Sequence, residues 1–244
     1  MVNKKPIHEI SIRLMIPNII TILSFCSGLT SIRFALEGRW EGAVLCIVIS
    51  MILDGMDGRV ARLLGATSRF GALLDSLADL VCFGFAPAFL IYCFAVGKFI
   101  KFGWSGVMFY TTCMALRLAR FNALEEQGGS SDFPKNYFMG VPAPAGALLV
   151  VTPVCCYLAT DMMIFTSFTL NVAILWCVGL LLISRIPTLC LKNMRIQQAW
   201  ILVCAIFFVL SVVLLYTHVW LGLGCMSLCY VLSIPYTLFR SKYI

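Results

Sequence analysis

The sequence has few charged residues: Asp, Glu, Lys and Arg make up 12% of its 244 residues. Soluble globular domains carry about 25%. With 61% hydrophobic residues and a mean hydropathy of +0.97, the chain has too little polar surface to cover a water-soluble globule. It also lacks the alternating polar and apolar residues of a membrane β-barrel. The sequence therefore excludes both of these fold classes.

Histidines and paired cysteine motifs are also scarce. The two histidines, His8 and His218, lie far apart, so they do not suggest a shared catalytic or metal site. The twelve cysteines fall almost entirely in apolar stretches and lack the paired spacing of zinc sites, which favours a role as small packing residues. Residues 1–15 have no apolar core followed by a small-residue cleavage site, so no removable secretory signal is predicted.

Long apolar runs occupy most of the chain. They approach or exceed the roughly 20 residues that a helix needs to cross a bilayer. A lipid-exposed segment must satisfy its own backbone N–H and C=O groups, so each run is predicted to be a helix. We therefore predict an all-α polytopic membrane protein with about eight transmembrane helices. The predicted spans are residues 15–36, 41–61, 72–96, 102–122, 141–160, 164–184, 198–217 and 219–239.

The basic residues predict the orientation of these helices. A cytoplasmic N-terminus places fourteen of the eighteen Lys and Arg residues on the cytoplasmic side. Such residues accumulate at cytoplasmic helix ends, so both termini are predicted to be cytoplasmic. Because the membrane accounts for the positive charge, the expected partner is the lipid bilayer and not a nucleic acid.

We find no internal repeat and no separate soluble domain, and we predict one domain over residues 1–244. Residues 1–160 would carry the catalytic helices and residues 161–244 additional transmembrane helices. Residues 125–137 contain Gly-Gly-Ser-Ser and a proline, which predict an irregular connection between the fourth and fifth spans.

Four of the eleven acidic residues lie in one 26-residue window, at Asp54, Asp57, Asp75 and Asp79. An Asp near the centre of a membrane helix costs about 2.5 to 3.5 kcal/mol on insertion scales, so such residues usually face the bundle interior and serve a function. Spacings of three and four residues put each pair on one helix face, about 5 to 6 Å apart. One pair ends the second span and the other begins the third, so the four carboxylates are predicted to converge at the cytoplasmic ends of these helices.

Converging carboxylates repel one another unless a positive group lies among them. Oxygen ligands favour a hard divalent cation, and four carboxylates suit two Mg²⁺ or Mn²⁺ ions about 3.5 to 4 Å apart. The alternative is a structural ion cluster in which Asp54 pairs with Arg59 or Arg62. We favour the metal site because no structural role requires four Asp residues on two facing helix ends.

Residues near the acidic pairs suit a phosphate-bearing ligand. Gly58 and Ala61 are small enough to let a bulky ligand approach the backbone, and Arg62 offers a planar guanidinium to a phosphate oxygen. Taken alone these residues are weak evidence, since small residues in membrane helices are more often packing contacts.

The order Asp54-x2-Asp57-Gly58-x2-Ala61-Arg62-x8-Gly71-x3-Asp75-x3-Asp79 is similar to the signature of the CDP-alcohol phosphotransferases, integral-membrane enzymes of phospholipid synthesis. The resemblance implies that the four Asp residues bind two divalent cations, which hold the diphosphate of a CDP-linked lipid. It also implies that Asp79 is the general base.

The same resemblance implies a set of contacts to the CDP-lipid. These contacts are Gly58, Ala61, Arg62, Ser68 and Gly71. Asn18 and Thr21 in the first span are predicted to line the same pocket, and polar packing between helices is the alternative for both.

Further segments resemble one branch of this family, the CDP-diacylglycerol–serine O-phosphatidyltransferases. They are IRLMIPNIITILSFCSGLTSI near the start, RLARFN at residues 117–122 and FMGVPAPAGA at residues 138–147. The resemblance implies transfer of a phosphatidyl group from CDP-diacylglycerol to L-serine in the cytoplasmic membrane of a bacterium. Arg117, Arg120 and Lys135 are predicted to bind the acceptor, and the alternative for the two arginines is a role as positive-inside anchors.

Two other functions stay open. A sister enzyme would use another acceptor, such as glycerol 3-phosphate, an inositol phosphate or an amino alcohol. A cation transporter would use the Asp cluster as an ion site, but it predicts broken helices or repeated halves, which we do not find. The sequence also leaves the oligomeric state open, with a homodimer as one candidate.

Overall fold

The computed structural model of the chain describes residues 12–96, 100–126, 137–139, 141–184, 187–189 and 217–241. A helix lies on seven of the eight predicted spans, and residues 198–216 of the other span lie outside the described residues. The α-helices are α1 (Ile12–Leu36), α2 (Trp40–Leu63), α3 (Arg69–Asp79), α4 (Ala86–Ile91), α5 (Ile100–Glu126), α6 (Ala143–Thr160), α7 (Phe168–Ile183) and α8 (Val219–Ser241). A short 3₁₀ helix, Met163–Thr166, precedes α7.

Three of the described helical segments are long and apolar enough to cross a bilayer: Met15–Leu36, Arg69–Ala95 and Ala143–Thr160. Phe168–Ile183 and Val219–Ser233 are apolar but shorter. The structure thus supports a helical integral membrane protein. The count of eight spans and the cytoplasmic placement of the termini stay predictions.

The third apolar run forms one continuous helix over residues 69–96, which we call the rod. In two stretches the rod widens from α-helical to π-helical geometry. α3 passes into the π-helical segment Leu80–Phe85, which continues through α4 into a second π-helical segment, Tyr92–Val96. Single π turns are rare in proteins, and those that occur are often found at functional sites. The first widened segment begins directly after Asp79, so the change in helical pitch directly follows the last of the four acidic residues.

A ladder of serine hydroxyls joins α1 to α2. Each serine of α1 donates to a backbone carbonyl of α2, and the acceptor positions descend as the donor positions rise, so the helices are antiparallel. The bonds run from Ser24 to Ser50, from Ser27 to Cys46 and from Ser31 to Ala43, at 3.0, 2.8 and 2.9 Å. Small polar residues of this kind let membrane helices approach closely while their hydroxyls stay satisfied.

A tight turn reverses the chain between α2 and α3. Gly65 has φ +60°, and the N–H groups of Gly65 and Ala66 donate to the carbonyls of Arg62 and Ala61 at 3.3 and 2.8 Å. This bond pair is the Schellman arrangement that ends many helices at a glycine. Ser68 then caps α3 by accepting from the Gly71 N–H at 3.0 Å. The turn therefore starts α3 beside the end of α2.

The remaining helices pack around this region. α5 packs along α7, and α6 packs along α8. Fully buried side chains include Phe83 and Leu90 of the rod and Tyr110 of α5. The Tyr110 hydroxyl donates to the Phe83 carbonyl at 3.0 Å, which ties α5 to the first widened segment.

One element departs from the predicted all-α class. Strand β1 (Tyr137–Met139) pairs with strand β2 (Pro187–Leu189) in an antiparallel two-stranded sheet, with Phe138 opposite Thr188. Both strands lie between helices, where pairing satisfies backbone groups that no helix uses. Pro187 occupies the first position of its strand, where its missing N–H costs least.

We expect Gly28→Ala to destabilise the protein, because α1 and the rod approach too closely for a side chain there. A Cβ at Gly28 would lie 2.5 Å from Cys82 Sγ and 3.1 Å from its Cα. Overpacking of this kind costs about 1 to 3 kcal/mol. Thermal unfolding in one detergent should therefore give a lower midpoint than wild type.

Gly55→Ala is the matched control for this prediction. A Cβ at Gly55 has no heavy atom within 4 Å, apart from its own helix backbone and chain neighbours. The control should unfold at or slightly above the wild-type temperature, since Ala favours a helix over Gly by up to about 1 kcal/mol. Equal midpoints for both variants would contradict the close approach of α1 to the rod.

Candidate functional site

A cavity of about 380 Å³ lies where α1 begins, α2 ends, α3 begins and α5 ends. Its volume is within the usual range for small-molecule sites. The cavity brings together all seven residues that the sequence assigned to the CDP-lipid. These are Asn18, Thr21, Gly58, Ala61, Arg62, Ser68 and Gly71.

The four acidic residues form one cluster, and three of them line this cavity. One carboxylate oxygen each of Asp54, Asp57 and Asp75 lies within 4.8 Å of the other two. Asp54 is also within hydrogen-bonding reach of Asp79. Asp57, Asp75 and Asp79 line the cavity, and Asp57 is only 5% exposed. The predicted convergence of the two Asp pairs is therefore present in the fold.

Thr21 supports the acidic cluster from α1. Its hydroxyl lies 2.7 Å from Asp57 Oδ2, to which it donates, and 3.1 Å from the Pro17 carbonyl one turn earlier. Thr21 and Asp57 are both buried. A fixed donor of this kind holds the carboxylate in one orientation, and the Gly58 N–H donates to the same carboxyl group.

The start of α3 lies against α1 with no space for a side chain. A Cβ at Gly71 would lie 2.9 Å from Asn18 Oδ1 and 3.1 Å from Ser68 Oγ. Glycine at this position therefore lets the polar groups of Asn18 and Ser68 lie side by side on the cavity wall. Arg62 is exposed and borders the same cavity beside Gly58.

The structure separates the two arginines predicted to bind the acceptor. Arg117 is largely enclosed, interacts electrostatically with Asp79, and has an Nε atom without a hydrogen-bond partner in the described part of the chain. Arg120 instead donates to the Ile183 carbonyl at 3.2 Å, at the end of α7. Neither side chain lines the cavity, and Lys135 lies outside the described residues.

Other residues of the cavity wall were not singled out from the sequence. α3 contributes Ala72 and Ser76, and α5 contributes Leu118, Phe121 and Asn122. The α5 residues belong to RLARFN, a segment that was used in the sequence analysis for its resemblance to the family and for its two arginines. The signal that could have found them is their spacing, since positions 118, 121 and 122 share one helix face.

The alternative of a structural ion cluster is not supported. Within residues 12–96 no ion pair joins Asp54 to Arg59 or Arg62. The ion pairs of that part of the chain include those of Glu37 with Arg33 and Arg39, far from the acidic cluster.

Comparison with known proteins identifies the family of the chain. Residues 14–234 match the family described as CDP-alcohol phosphatidyltransferase. The chain belongs to the CDP-alcohol phosphatidyltransferase family. Members of this family are transferases of phospholipid synthesis.

Individual relatives carry a more specific name. A Mycobacterium leprae protein named CDP-diacylglycerol–serine O-phosphatidyltransferase is 39% identical over 94% of this chain and 76% of its own length. A Methanocaldococcus jannaschii protein of the same name is 32% identical over 81% of this chain and 92% of its own. A Mycobacterium bovis protein of that name is 44% identical over 71% of this chain, which covers 60% of that protein.

The acidic cluster fits the divalent cations that CDP-alcohol phosphatidyltransferases generally use. Two oxygens on opposite sides of a Mg²⁺ ion lie about 4.2 Å apart, from bonds of about 2.1 Å. The oxygens of Asp54, Asp57 and Asp75 lie within 4.8 Å of one another, so small side-chain movements would suffice. The donors are also all carboxylate oxygens, which hard cations prefer.

Thr21→Val should weaken divalent cation binding, because it removes the hydroxyl that orients Asp57 while keeping a similar shape. Loss of such a supporting hydrogen bond typically costs 10- to 100-fold in metal affinity. The dissociation constant for Mn²⁺, followed by electron paramagnetic resonance, should rise by about that factor.

Thr30→Val provides the control on the same helix. The Thr30 hydroxyl makes the same bond to a carbonyl one turn earlier, at 2.7 Å to Cys26, but it is exposed and far along α1 from the cavity. Its Mn²⁺ affinity should equal that of wild type. If Thr21→Val also bound Mn²⁺ normally, Thr21 would not support a metal ligand.

Proposed function

We propose that this protein transfers a phosphatidyl group from CDP-diacylglycerol to the hydroxyl of L-serine, forming phosphatidylserine and CMP. The observation that carries the proposal is that a cluster of four carboxylates, three of which line the cavity, lies beside seven predicted CDP-lipid contacts in the same cavity. The acceptor follows from the names of the relatives and from RLARFN and FMGVPAPAGA. The site and both chain ends would face the cytoplasm, where serine is available.

The four Asp residues would hold two divalent cations, Mg²⁺ or Mn²⁺, which supply positive charge to the diphosphate and to the departing CMP oxygen. Arg62 lies at the edge of the cavity, where its guanidinium can contact a phosphate oxygen of the CDP group. Asn18 and Ser68 offer polar atoms to the nucleotide on the same wall.

Asp79 is proposed as the general base. It lines the cavity on the last turn of α3 and interacts electrostatically with Arg117. In the reaction the serine oxygen attacks the phosphorus of the phosphatidyl group while Asp79 accepts the hydroxyl proton. A new P–O bond forms, the bond between that phosphorus and the CMP oxygen breaks, and CMP leaves with the electron pair.

The acceptor identity is tested by offering different alcohols. Purified full-length protein is incubated with CDP-diacylglycerol and Mg²⁺ or Mn²⁺, and serine, glycerol 3-phosphate and inositol phosphate are supplied separately. We expect CMP release and phosphatidylserine formation with serine. Faster CMP release with either phosphorylated acceptor would replace this proposal with the sister-enzyme function, and cation transport without CMP release would favour the transporter.

Asp79→Asn should abolish turnover and leave the fold intact. The amide keeps the shape of the side chain but cannot accept the hydroxyl proton, so we expect a loss of at least about 100-fold in kcat. Asp161→Asn is the control, since Asp161 lies at the end of α6 with φ 54°, a conformation that Asn tolerates well. Near-normal CMP release by folded Asp79→Asn protein would rule out Asp79 as the base.

Arg117→Lys should raise the KM for serine and leave the KM for CDP-diacylglycerol nearly unchanged. Lysine keeps the charge but loses the planar pair of donors that meets a carboxylate, and we expect roughly a 10-fold effect. Arg120→Lys is the matched control, because Arg120 already contacts the Ile183 carbonyl. A serine KM that rises in the Arg120 variant and not in the Arg117 variant would reverse this assignment.

A further inference from the structure

The residues that line the cavity can be divided into two groups by the helices that contribute them, and we call these groups the two walls. The predicted CDP-lipid contacts all come from α1, α2 and the first turn of α3 with its cap. The second wall consists of Ala72 and Ser76 from α3 and of three residues from α5. Since the first wall is assigned to the nucleotide, the second wall is where another substrate can reach Asp79.

A pair of polar side chains stands out on this second wall. Asn122 and Ser76 are separated by 46 residues in sequence and join α5 to α3. Asn122 Nδ2 donates to Ser76 Oγ at 3.0 Å, and Ser76 Oγ lies 3.1 Å from Asn122 Oδ1. Both residues are half-buried, and the neighbouring α5 residues on this wall, Leu118 and Phe121, are apolar.

The Asn122 amide keeps hydrogen-bonding capacity that the protein does not use. A carboxamide can donate two hydrogen bonds and accept two. Ser76 Oγ accepts one bond from Nδ2, and its single proton can go either to Asn122 Oδ1 or to the Ala72 carbonyl, both 3.1 Å away; the described residues supply Asn122 with no further partner. One acceptor position and one donor position are therefore available to a ligand in the cavity.

We propose that Asn122, held in place by Ser76, determines acceptor specificity by binding the ammonium group of the amino-acid acceptor through Oδ1. This inference rests on the proposed function, because it assumes that the acceptor is an amino acid. It assigns Asn122 a direct contact with the acceptor and Ser76 a positioning role.

The size of serine suits this placement. Ser76 and Asp79 are three residues apart on α3, so they lie on one face with Cβ atoms about 5 to 6 Å apart. The hydroxyl and ammonium groups of serine are separated by three bonds of about 1.5 Å each. An acceptor whose hydroxyl contacts Asp79 therefore presents its ammonium near the pair formed by Ser76 and Asn122.

Asn122 Oδ1 suits the ammonium and not the carboxylate of the acceptor, because a carboxamide oxygen only accepts hydrogen bonds. Asp75 and Asp79 lie on the same helix as Ser76 and line the same cavity, but the divalent cations that they would hold offset their negative charge. The enclosed cation associated with Asp79 is Arg117, one turn before Phe121 on α5. A zwitterion would thus place its ammonium at Asn122 Oδ1, and contact of its carboxylate with Arg117 would require movement of that side chain, since Arg117 does not line the cavity.

Asn122→Leu tests the proposal in the full-length protein with Mn²⁺ and CDP-diacylglycerol. Leucine keeps a similar volume but cannot accept a hydrogen bond from an ammonium, and a bond to a charged group is worth about 10-fold or more in affinity. We expect the KM for serine to rise at least about 10-fold and the KM for CDP-diacylglycerol to stay within about twofold of wild type.

A serine analogue without the ammonium identifies the group that Asn122 contacts. 3-Hydroxypropanoate is tested as a competitor of serine in wild type and in Asn122→Leu. Its inhibition constant should be equal in the two proteins, because it has no ammonium to lose. An inhibition constant that rises as much as the serine KM would overturn the assignment of the ammonium.

Two further variants separate binding from packing. Ser76→Ala removes the partner of Asn122 and should raise the serine KM by a smaller factor, about threefold, and it stands in for Asn122→Leu if that variant fails to fold. Thr111→Val removes a different contact between α5 and the rod, the 3.4 Å bond to the Gly84 carbonyl, away from the cavity. It should leave the serine KM unchanged.

The outcomes distinguish the two proposals. If wild-type protein does not use serine, the proposed function fails. If wild type uses serine and its KM is unchanged in both Asn122→Leu and Ser76→Ala, the role of Asn122 fails and the proposed function stands. A serine KM raised equally by Thr111→Val would show that packing of α5, and not contact with the acceptor, is responsible.

Discussion

The mutual repulsion of four carboxylates inside an apolar bundle is the constraint on which the rest of the structure depends. Such groups stay together only where the chain fixes their positions and a positive charge or a proton lies among them. The fold meets the first requirement with separate devices. The serine ladder sets α2 against α1, Thr21 holds Asp57, and the turn at Gly65 brings α3 back beside the end of α2.

The acidic half of the site could be predicted from the sequence because its information is local. Spacings of three and four residues fix which Asp side chains share a face, and the short connection between the two pairs makes their helices neighbours. The same logic gave the positions of α1, α2, α5, α6, α7 and α8 to within a few residues, since long apolar runs in a membrane have few alternatives to a helix.

The remaining features depend on contacts between distant parts of the chain. Asn122 contacts Ser76 although 46 residues separate them, and no local sequence pattern around either residue indicates that the two are in contact. Arg117 and Arg120 look equivalent as basic residues three apart, and only the packing of α5 turns one toward Asp79 and the other toward the end of α7. The π-helical segments of the rod also could not be predicted from the sequence. A stretch that is apolar on all sides has no hydrophobic periodicity, so a change in helical pitch leaves no pattern in it. The small sheet joins two three-residue segments that are too short to show alternation.

The widened segment after Asp79 has a consequence for how the rod can change over evolutionary time. Each residue added to a helix rotates everything beyond it by roughly 100°. A π turn accommodates such an addition locally, so the orientation of the acidic half of the rod is set independently of the orientation of α4, whose side chains fill the centre of the bundle. An insertion within Leu80–Phe85 can therefore be absorbed there, and Asp75 and Asp79 keep their orientation relative to the core.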